Sequence, residues 1–411
     1  MSFVSMLRCV RCSAEYPPGG PWTCPQCGPD EGILDVRFDL ARAAKSLTPA
    51  ALRTRSLSHW RYAELLPLDG PPPAGLAHIG WTPLIEAPRL AQALGVGRLR
   101  LKDEGRGASG SFKDRPSSLG VALALQAKAR AIACASTGNA ASSLAHSAAA
   151  VGLPAFIFVP RSCPDGKMAQ LLAYGACVFR VAGTYDQAYQ LCTQACANLG
   201  WYNRNCAINP YLVEGKKTGG LELAEQCIDD PPDWVAAGVG DGCSIAGMHK
   251  GLTEMRAISF VGWSTRMLGV QAAGCAPIVT AVTTGRLDRS GRGDTYADSI
   301  NCPLPRNWRK AVRAITDSDG SYVTVTDEQI MEAVRLTGRL SGVFAEPAAA
   351  AAVAGIGEAV RRGLLGTKSN VVAMITGNGL KDTAGAMLAV GKPHEVAPNL
   401  GQVEQVVTAT A

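Results

Sequence analysis

The chain has 411 residues, 47% apolar and 18% charged, with a formal charge of +6. That supplies core for two or three packed units and too little charge for a disordered chain. Lysine and arginine are scattered among acids, which argues against a nucleic-acid partner. No apolar stretch reaches bilayer length and the N-terminus lacks the apolar core of a signal peptide, so neither a membrane partner nor export is expected. The protein reads as cytoplasmic, and its 14 cysteines then read as thiols or metal ligands rather than a disulfide framework.

The first segment, 1–35, carries Cys9, Cys12, Cys24 and Cys27 as two C-x-x-C knuckles around a turn-rich loop. Each knuckle offers two sulfurs to one ion, and four thiolates close a tetrahedral structural zinc site with no open position for catalysis. From about residue 80, short apolar runs alternate with amphipathic stretches. The runs at 131–136, 154–160 and 176–183 are each followed by a helical pattern, and the rhythm returns at 234–240 and 371–379. Strands alternating with helices predict parallel sheets and right-handed crossovers, here in two zones. The stretch 287–300 reads as a mobile polar loop and a candidate lid, and the end of the chain as a short, partly ordered tail.

Four motifs carry chemistry. Gly110-Ser111-Phe112-Lys113-Asp114-Arg115 lies between a strand-like run and a helix. A lysine near a helix N-terminus sits in a field that disfavours its ammonium form and favours the neutral amine of imine chemistry. Ser136-Thr137-Gly138-Asn139 turns a strand into a helix and offers amides and hydroxyls to a carboxylate. Gly238-Val239-Gly240-Asp241-Gly242-Cys243-Ser244 converges amides on a helix start. Cys243 stands where a dinucleotide fingerprint needs glycine and no Gly-Lys-Ser/Thr closes a Walker loop, so a monophosphate cradle remains, with Asp241 turned outward. Thr376-Gly377-Asn378-Gly379 ends a strand and places a hydroxyl where it can meet a ring nitrogen.

With Gly80-Trp81-Thr82-Pro83-Leu84, these motifs in this order resemble the threonine-synthase-like members of the fold type II (tryptophan synthase beta-like) pyridoxal-phosphate enzymes. The resemblance covers about 75–390. It implies an α/β fold: two domains with parallel-rich sheets flanked by helices, and the zinc-ribbon-like segment ahead of them. The large domain would comprise 36–113 and 206–395, the small one 114–205, with a tail at 396–411. It implies pyridoxal 5'-phosphate as a Schiff base on Lys113, with Asn139 on its phenolic oxygen. The segment Gly240, Asp241, Gly242, Cys243 and Ser244 would hold its phosphate, and Thr376 its pyridine nitrogen. A hydroxyl there leaves the ring a milder electron sink, suited to elimination and replacement. Ser136, Thr137, Gly138 and Ser111 would bind the amino-acid substrate. Lys113 would move the α-proton of the external aldimine, followed by β/γ-elimination or replacement, as in O-phosphohomoserine to threonine. A homodimer is also implied.

The chain departs from the family pattern in its pocket. Cys206, Ala207 and Leu212 replace an asparagine, a serine and an arginine that help hold a substrate phosphate, and losing a guanidinium fork removes the best phosphate binder. Ser244, Gly107-Ala108-Ser109, Pro116 and Asn378 are further departures. A relative performing β-replacement, β-elimination or Ser/Thr dehydration on a non-phosphorylated amino acid is therefore the alternative. A catalytically silent zinc-ribbon scaffold is the alternative of another class. Lys102, Lys216, Lys217 and Lys250 read as solvated surface charges, Cys206 as a structural thiol, and His146 and His249 as surface or packed histidines.

Overall fold

The computed structural model describes residues 2–163 and 165–410, so the first residue of the expected ribbon, residue 164 of the expected small domain and the last residue of the expected tail lie outside the described residues. The chain opens with an antiparallel sheet of β1 (Val4–Cys9), β2 (Glu15–Tyr16) and β3 (Leu34–Phe38), in the order β2-β1-β3. Leu7 and Cys9 on β1 and Leu34, Val36 and Phe38 on β3 alternate inward, the period of a half-buried strand. They enter one hydrophobic core with Leu221, Met248 and Leu252, so this small sheet is docked on the body of the protein.

Next come β4 (Leu84–Glu86) and β5 (Arg98–Asp103), then β6 (Ile132–Ala135), β7 (Ala155–Pro160), β8 (Cys177–Val181) and β9 (Tyr202–Asn203). The last four form a sheet of order β8-β7-β6-β9, parallel throughout. The chain then adds β10 (Trp234–Gly238), β11 (Arg266–Ala272), β12 (Ser321–Val325) and β13 (Asn370–Ile375). These join β5 and β4 in the order β12-β11-β10-β13-β5-β4, where β4 alone runs antiparallel. Trp234 and Ala236 face one core and Val235 and Ala237 the other. Ile132 and Cys134 likewise separate from Ala133 and Ala135. Strands covered on both faces read as unbroken apolar runs, which is why the alternation is invisible in them.

Small residues set how closely the layers approach. The helix Pro347–Arg361 lies on the large sheet with Ala349, Ala350, Ala351 and Ala352 wholly buried. A side chain at its Gly355 would meet Val270 at 2.2 Å. The helices Leu212–Gln226 and Cys243–Ala257 also pack through glycines, since a Cβ at Gly220 would meet the Met248 carbonyl oxygen at 2.1 Å and one at Gly251 the Lys217 oxygen at 2.3 Å. At the other end of the chain, Leu400–Thr410 is a helix rather than a partly ordered tail. Leu400, Val403 and Val407 recur there at helical spacing, a signal too short to decide from sequence.

No helix among the described residues is long and apolar enough to cross a membrane. In the parallel sheets, chain segments leave the carboxyl ends of β5, β6, β10 and β13 toward one crevice, the place where open α/β sheets bind ligands.

Candidate active site

That crevice is a cavity of about 760 Å³. Its lining includes Lys113, the 136–139 turn, the 240–244 loop and Thr376. Four motifs separated by up to 263 positions in sequence thus share one wall. Ser111 lies outside this lining: it is buried, and its hydroxyl accepts from the Lys113 amide at 3.4 Å.

Lys113 stands immediately before the helix Asp114–Gln126. Its loop is tied to the exit of β13: the Phe112 amide donates to the Thr376 carbonyl at 2.8 Å and the Asn378 amide to Gly110 at 3.0 Å. The Asp114 carboxylate accepts from the Ser109 amide at 2.9 Å, which fixes the small-residue turn ahead of the lysine. Pro116 falls in the first helical turn, where a missing amide hydrogen breaks no bond. Behind the loop, Arg115 is buried between Glu104 at 2.8 Å and Glu222 at 2.9 Å. Burial first, and then the charge of Lys216, hold the Lys113 amine below the ordinary lysine value. The neutral, nucleophilic form is thereby favoured.

The two turns are built to meet anions. Gly242 has φ 93° and closes the 240–244 loop onto the helix Cys243–Ala257. A side chain at Gly240 would meet Ile300 at 3.1 Å, so the loop 298–303 covers this turn closely. The amides of residues 240–244 have no acceptor among the described residues. Asp241 does turn away from them: its carboxylate accepts from the Arg306 amide at 2.8 Å and from Asn307 Nδ2 at 2.7 Å. At the second turn, the helix Asn139–Ala149 begins without a side-chain cap. Its first amides open to the cavity, with the hydroxyls of Ser136 and Thr137 beside them. A phosphate at the first turn and a carboxylate at the second fit these donors.

Three groups in the wall were not singled out as ligands from sequence. Glu346 is buried, and both its oxygens accept from Asn139 Nδ2 at 3.0 Å. Burial raises its carboxyl above the ordinary value. Its only sequence signal is an acid directly before the proline that starts an alanine helix. Arg204 and Lys216 are the other two, and Cys206 lies between them. Arg204 Nη1 donates to Cys206 Sγ at 3.5 Å and Lys216 Nζ at 3.1 Å, and Lys216 also donates to Cys243 Sγ. A hydrogen bond from Cys243 and, against its burial, the charges of Lys216 and Arg204 pull the Cys206 thiol well below its usual value.

The expectation of solvated lysines is corrected. Lys102, Lys216 and Lys217 are fully buried, and Lys250 is 14% exposed at its side chain. Lys102 meets Glu222, Lys217 meets Glu214 at 2.7 Å, and Lys250 meets Glu214 at 2.7 Å. The acids come from other elements or from a helix buried on all sides, so the pairing has no local signature. Of these lysines, Lys216 alone lines the cavity. Leu212 does not line it, and packs against Gly120 of the neighbouring helix instead. His146 stacks edge-on with Tyr174, and His249 lies beside Thr253 at 3.3 Å.

Away from the cavity, the sulfurs of Cys9, Cys12, Cys24 and Cys27 lie within 4.8 Å of one another. Cys9 and Cys27 are 3.9 Å apart and Cys12 and Cys24 3.7 Å apart. The edge of a tetrahedron with zinc–sulfur bonds of 2.3 Å is about 3.8 Å.

A basicity-lowered lysine and two anion-binding turns at the carboxyl ends of parallel strands define a cofactor-dependent enzyme of the fold type II class. Residues 76–377 match the family described as "Pyridoxal-phosphate dependent enzyme", and the chain belongs to that family. It is 36% identical over 405 residues to a threonine synthase of Methanosarcina acetivorans, covering 98% of both chains. It is 33% identical over 406 residues to one of Methanocaldococcus jannaschii, covering 98% of this chain and 99% of the other. Among solved structures, a threonine deaminase from the bacterium abbreviated T.th. aligns with a TM-score of 0.62 at 27% identity, over 72% of this chain and 92% of that one. A processed threonine deaminase from Solanum lycopersicum, at 23% identity and a TM-score of 0.65 over 75% and 87% of the two chains, shares the fold. Within the family this chain is a threonine-synthase-like lyase.

Proposed function

We propose that the cavity carries pyridoxal 5'-phosphate on Lys113 and converts O-phosphohomoserine to threonine. The observation that carries this reading is the meeting of four strand-end segments around one lysine of lowered basicity. When bound, the cofactor supplies the electron sink that acidifies the α-proton of an amino acid. The amides and hydroxyl of residues 240–244 hold its phosphate, Asn139 its phenolic oxygen and Thr376 its ring nitrogen. Glu346 orients the Asn139 amide. Ser136, Thr137 and Gly138 hold the substrate carboxylate, while Ser111 supports the lysine backbone. Lys113 Nζ takes the α-proton and returns it as the leaving group departs, which needs its amine neutral at the start.

Incubating the purified holoenzyme with O-phosphohomoserine tests the reading. Threonine and inorganic phosphate are expected in equal amounts, and both disappear in Lys113→Ala. Conversion of serine, threonine or O-acetylserine with no phosphate released from O-phosphohomoserine would instead support the reading with a changed substrate. The replacement of polar residues by Cys206 and Ala207 in the cavity wall favours that second reading.

The ribbon cysteines hold a structural Zn2+, supported by sulfur separations that match a tetrahedral site. One zinc per chain is expected by metal analysis, lost in Cys24→Ser; a zinc-free folded wild type would contradict it. A homodimer follows from the family resemblance and is checked by sedimentation, where the mass of two chains is expected. The thiols, none of them in a disulfide among the described residues, suit a reducing cytoplasm.

A further inference from the structure

The buried cations of this protein follow a rule with two exceptions. Arg61 pairs with Glu225, Arg100 with Asp230, Lys102 and Arg115 with Glu222, Lys217 with Glu214, and Lys310 with Asp35. Arg204 and Lys216 are equally buried, yet neither has a carboxylate in ion-pair range among the described residues. Both line the same cavity.

What surrounds them is weak compensation. Arg204 donates from Nε and Nη2 to Ser117 Oγ at 3.1 and 3.0 Å, and from Nη1 to Cys206 Sγ. Lys216 donates to the sulfurs of Cys206 and Cys243. Even with Cys206 ionised, two cations face one thiolate. Carboxylates do line the cavity, but Asp241 is committed to Arg306 and Asn307, and Glu346 to Asn139. Withdrawing a cation from water without a counter-charge is costly, and every other buried cation in the fold avoids it. The deficit is localised to the cavity, so the missing charge belongs to a ligand.

Two anions of that ligand set already have donors. The amides of residues 240–244 meet the cofactor phosphate and the 136–139 turn meets the substrate carboxylate. We propose that Lys216 and Arg204 form a third anion subsite, which selects amino acids bearing an oxyanion, here a phosphate ester, at the far end of the side chain. The proposal rests on the lyase reading above and deepens it. It gives the site a cation pair despite the leucine at position 212, which packs on Gly120 outside the lining. Lys216 comes from the helix Leu212–Gln226 and Arg204 from just beyond β9. An ammonium and a guanidinium from two elements can bracket one phosphate, the guanidinium contributing its planar fork.

The test uses the cofactor-loaded full chain and the variants Lys216→Met, Lys216→Arg and Arg204→Met. kcat/KM is measured for O-phosphohomoserine and for the uncharged ester O-acetylhomoserine, with cofactor affinity followed by absorbance. Losing a charge-assisted bond should lower the phosphate-to-acetate ratio of kcat/KM on the order of 100-fold in Lys216→Met. Lys216→Arg should restore most of it. An unchanged ratio overturns the proposal. So does a cofactor affinity that falls as far as the phosphoester rate, because Lys216 would then serve the cofactor phosphate. Binding is read independently by the thermal midpoint: inorganic phosphate should raise that of the wild-type holoenzyme more than chloride of equal ionic strength, and raise it less in Arg204→Met. This second readout stands if Lys216→Met does not fold, and an equal rise in wild type and Arg204→Met overturns the proposal. A cofactor-loaded wild type that turns over neither ester refutes the lyase reading, whereas the phosphate-induced shift continues to decide the subsite.

Discussion

At Lys113 the chemistry depends on how a single amine is surrounded. Burial and the neighbouring Lys216 charge both disfavour its proton, so the amine is neutral over a pH range in which the unfolded chain is still protonated. Two consequences follow with a fixed sign. The unfolded state binds more protons in that window, so this group's contribution to the stability of the cofactor-free chain rises with pH through it and falls below it. The rate of cofactor uptake by that chain should rise with pH and level off below the ordinary lysine value of about 10.4. Stopped-flow absorbance measures it directly. A midpoint at or above that value would mean that the amine is not desolvated as the fold indicates. The surroundings of the lysine were only partly legible in the sequence. Its place before a helix was readable from the glycine–serine turn ahead of it and the alanine- and leucine-rich stretch after it. Glu346, Arg204 and Lys216 were not, because each reaches the cavity from a distant element and has no spacing that marks it. Lys216 sits in a Glu-Gly-Lys-Lys run that looks like a solvated face, and it is hidden because that helix has neighbours on every side.

At the level of elements, the pair Leu212–Gln226 and Cys243–Ala257 holds Lys216 and Cys243 in the cavity wall. The pair can approach so closely because Gly215, Gly219 and Gly220 on one helix and Gly247 and Gly251 on the other leave no side chains between the backbones. A Cβ at position 251 would lie 2.3 Å from the Lys217 carbonyl oxygen, and backbone does not yield as a flexible side chain would. Gly251→Ala should therefore cost about 1–3 kcal/mol despite its better helix propensity. Chemical denaturation reads this as a lowered midpoint with unchanged slope. A variant as stable as wild type would show that the helices separate freely. The strands were legible as apolar runs, and the order of elements followed from their alternation with helices. Which face of each strand meets which core was not, because strands covered on both sides show no polar alternation. The terminal helix Leu400–Thr410 was missed for a different reason: with few residues and no tertiary cover, propensity alone gave no decision.

In the molecule as a whole, three sheets have distinct tasks. The six-stranded sheet and the four-stranded sheet send their carboxyl-end turns into one crevice. The N-terminal three-stranded sheet is tied to the larger body by Asp35 on β3, which meets Lys250 at 3.2 Å and Lys310 at 3.6 Å. Lys250 in turn meets Glu214 on the helix that carries Lys216. The cysteine cluster is thus mechanically continuous with the cavity wall while staying outside the chemistry. Its ligand spacing was fully visible in the sequence because the four sulfurs lie within 19 consecutive residues. The cavity was visible only as separate turns, and folding supplies their convergence. That convergence on Lys113 is tested most directly by reducing the cofactor-loaded protein with borohydride and mapping the modified peptide by mass spectrometry. A phosphopyridoxyl group on Lys113, and on no other lysine, is the predicted result. Stoichiometric modification of Lys216, or folded protein that takes up no cofactor, would contradict it.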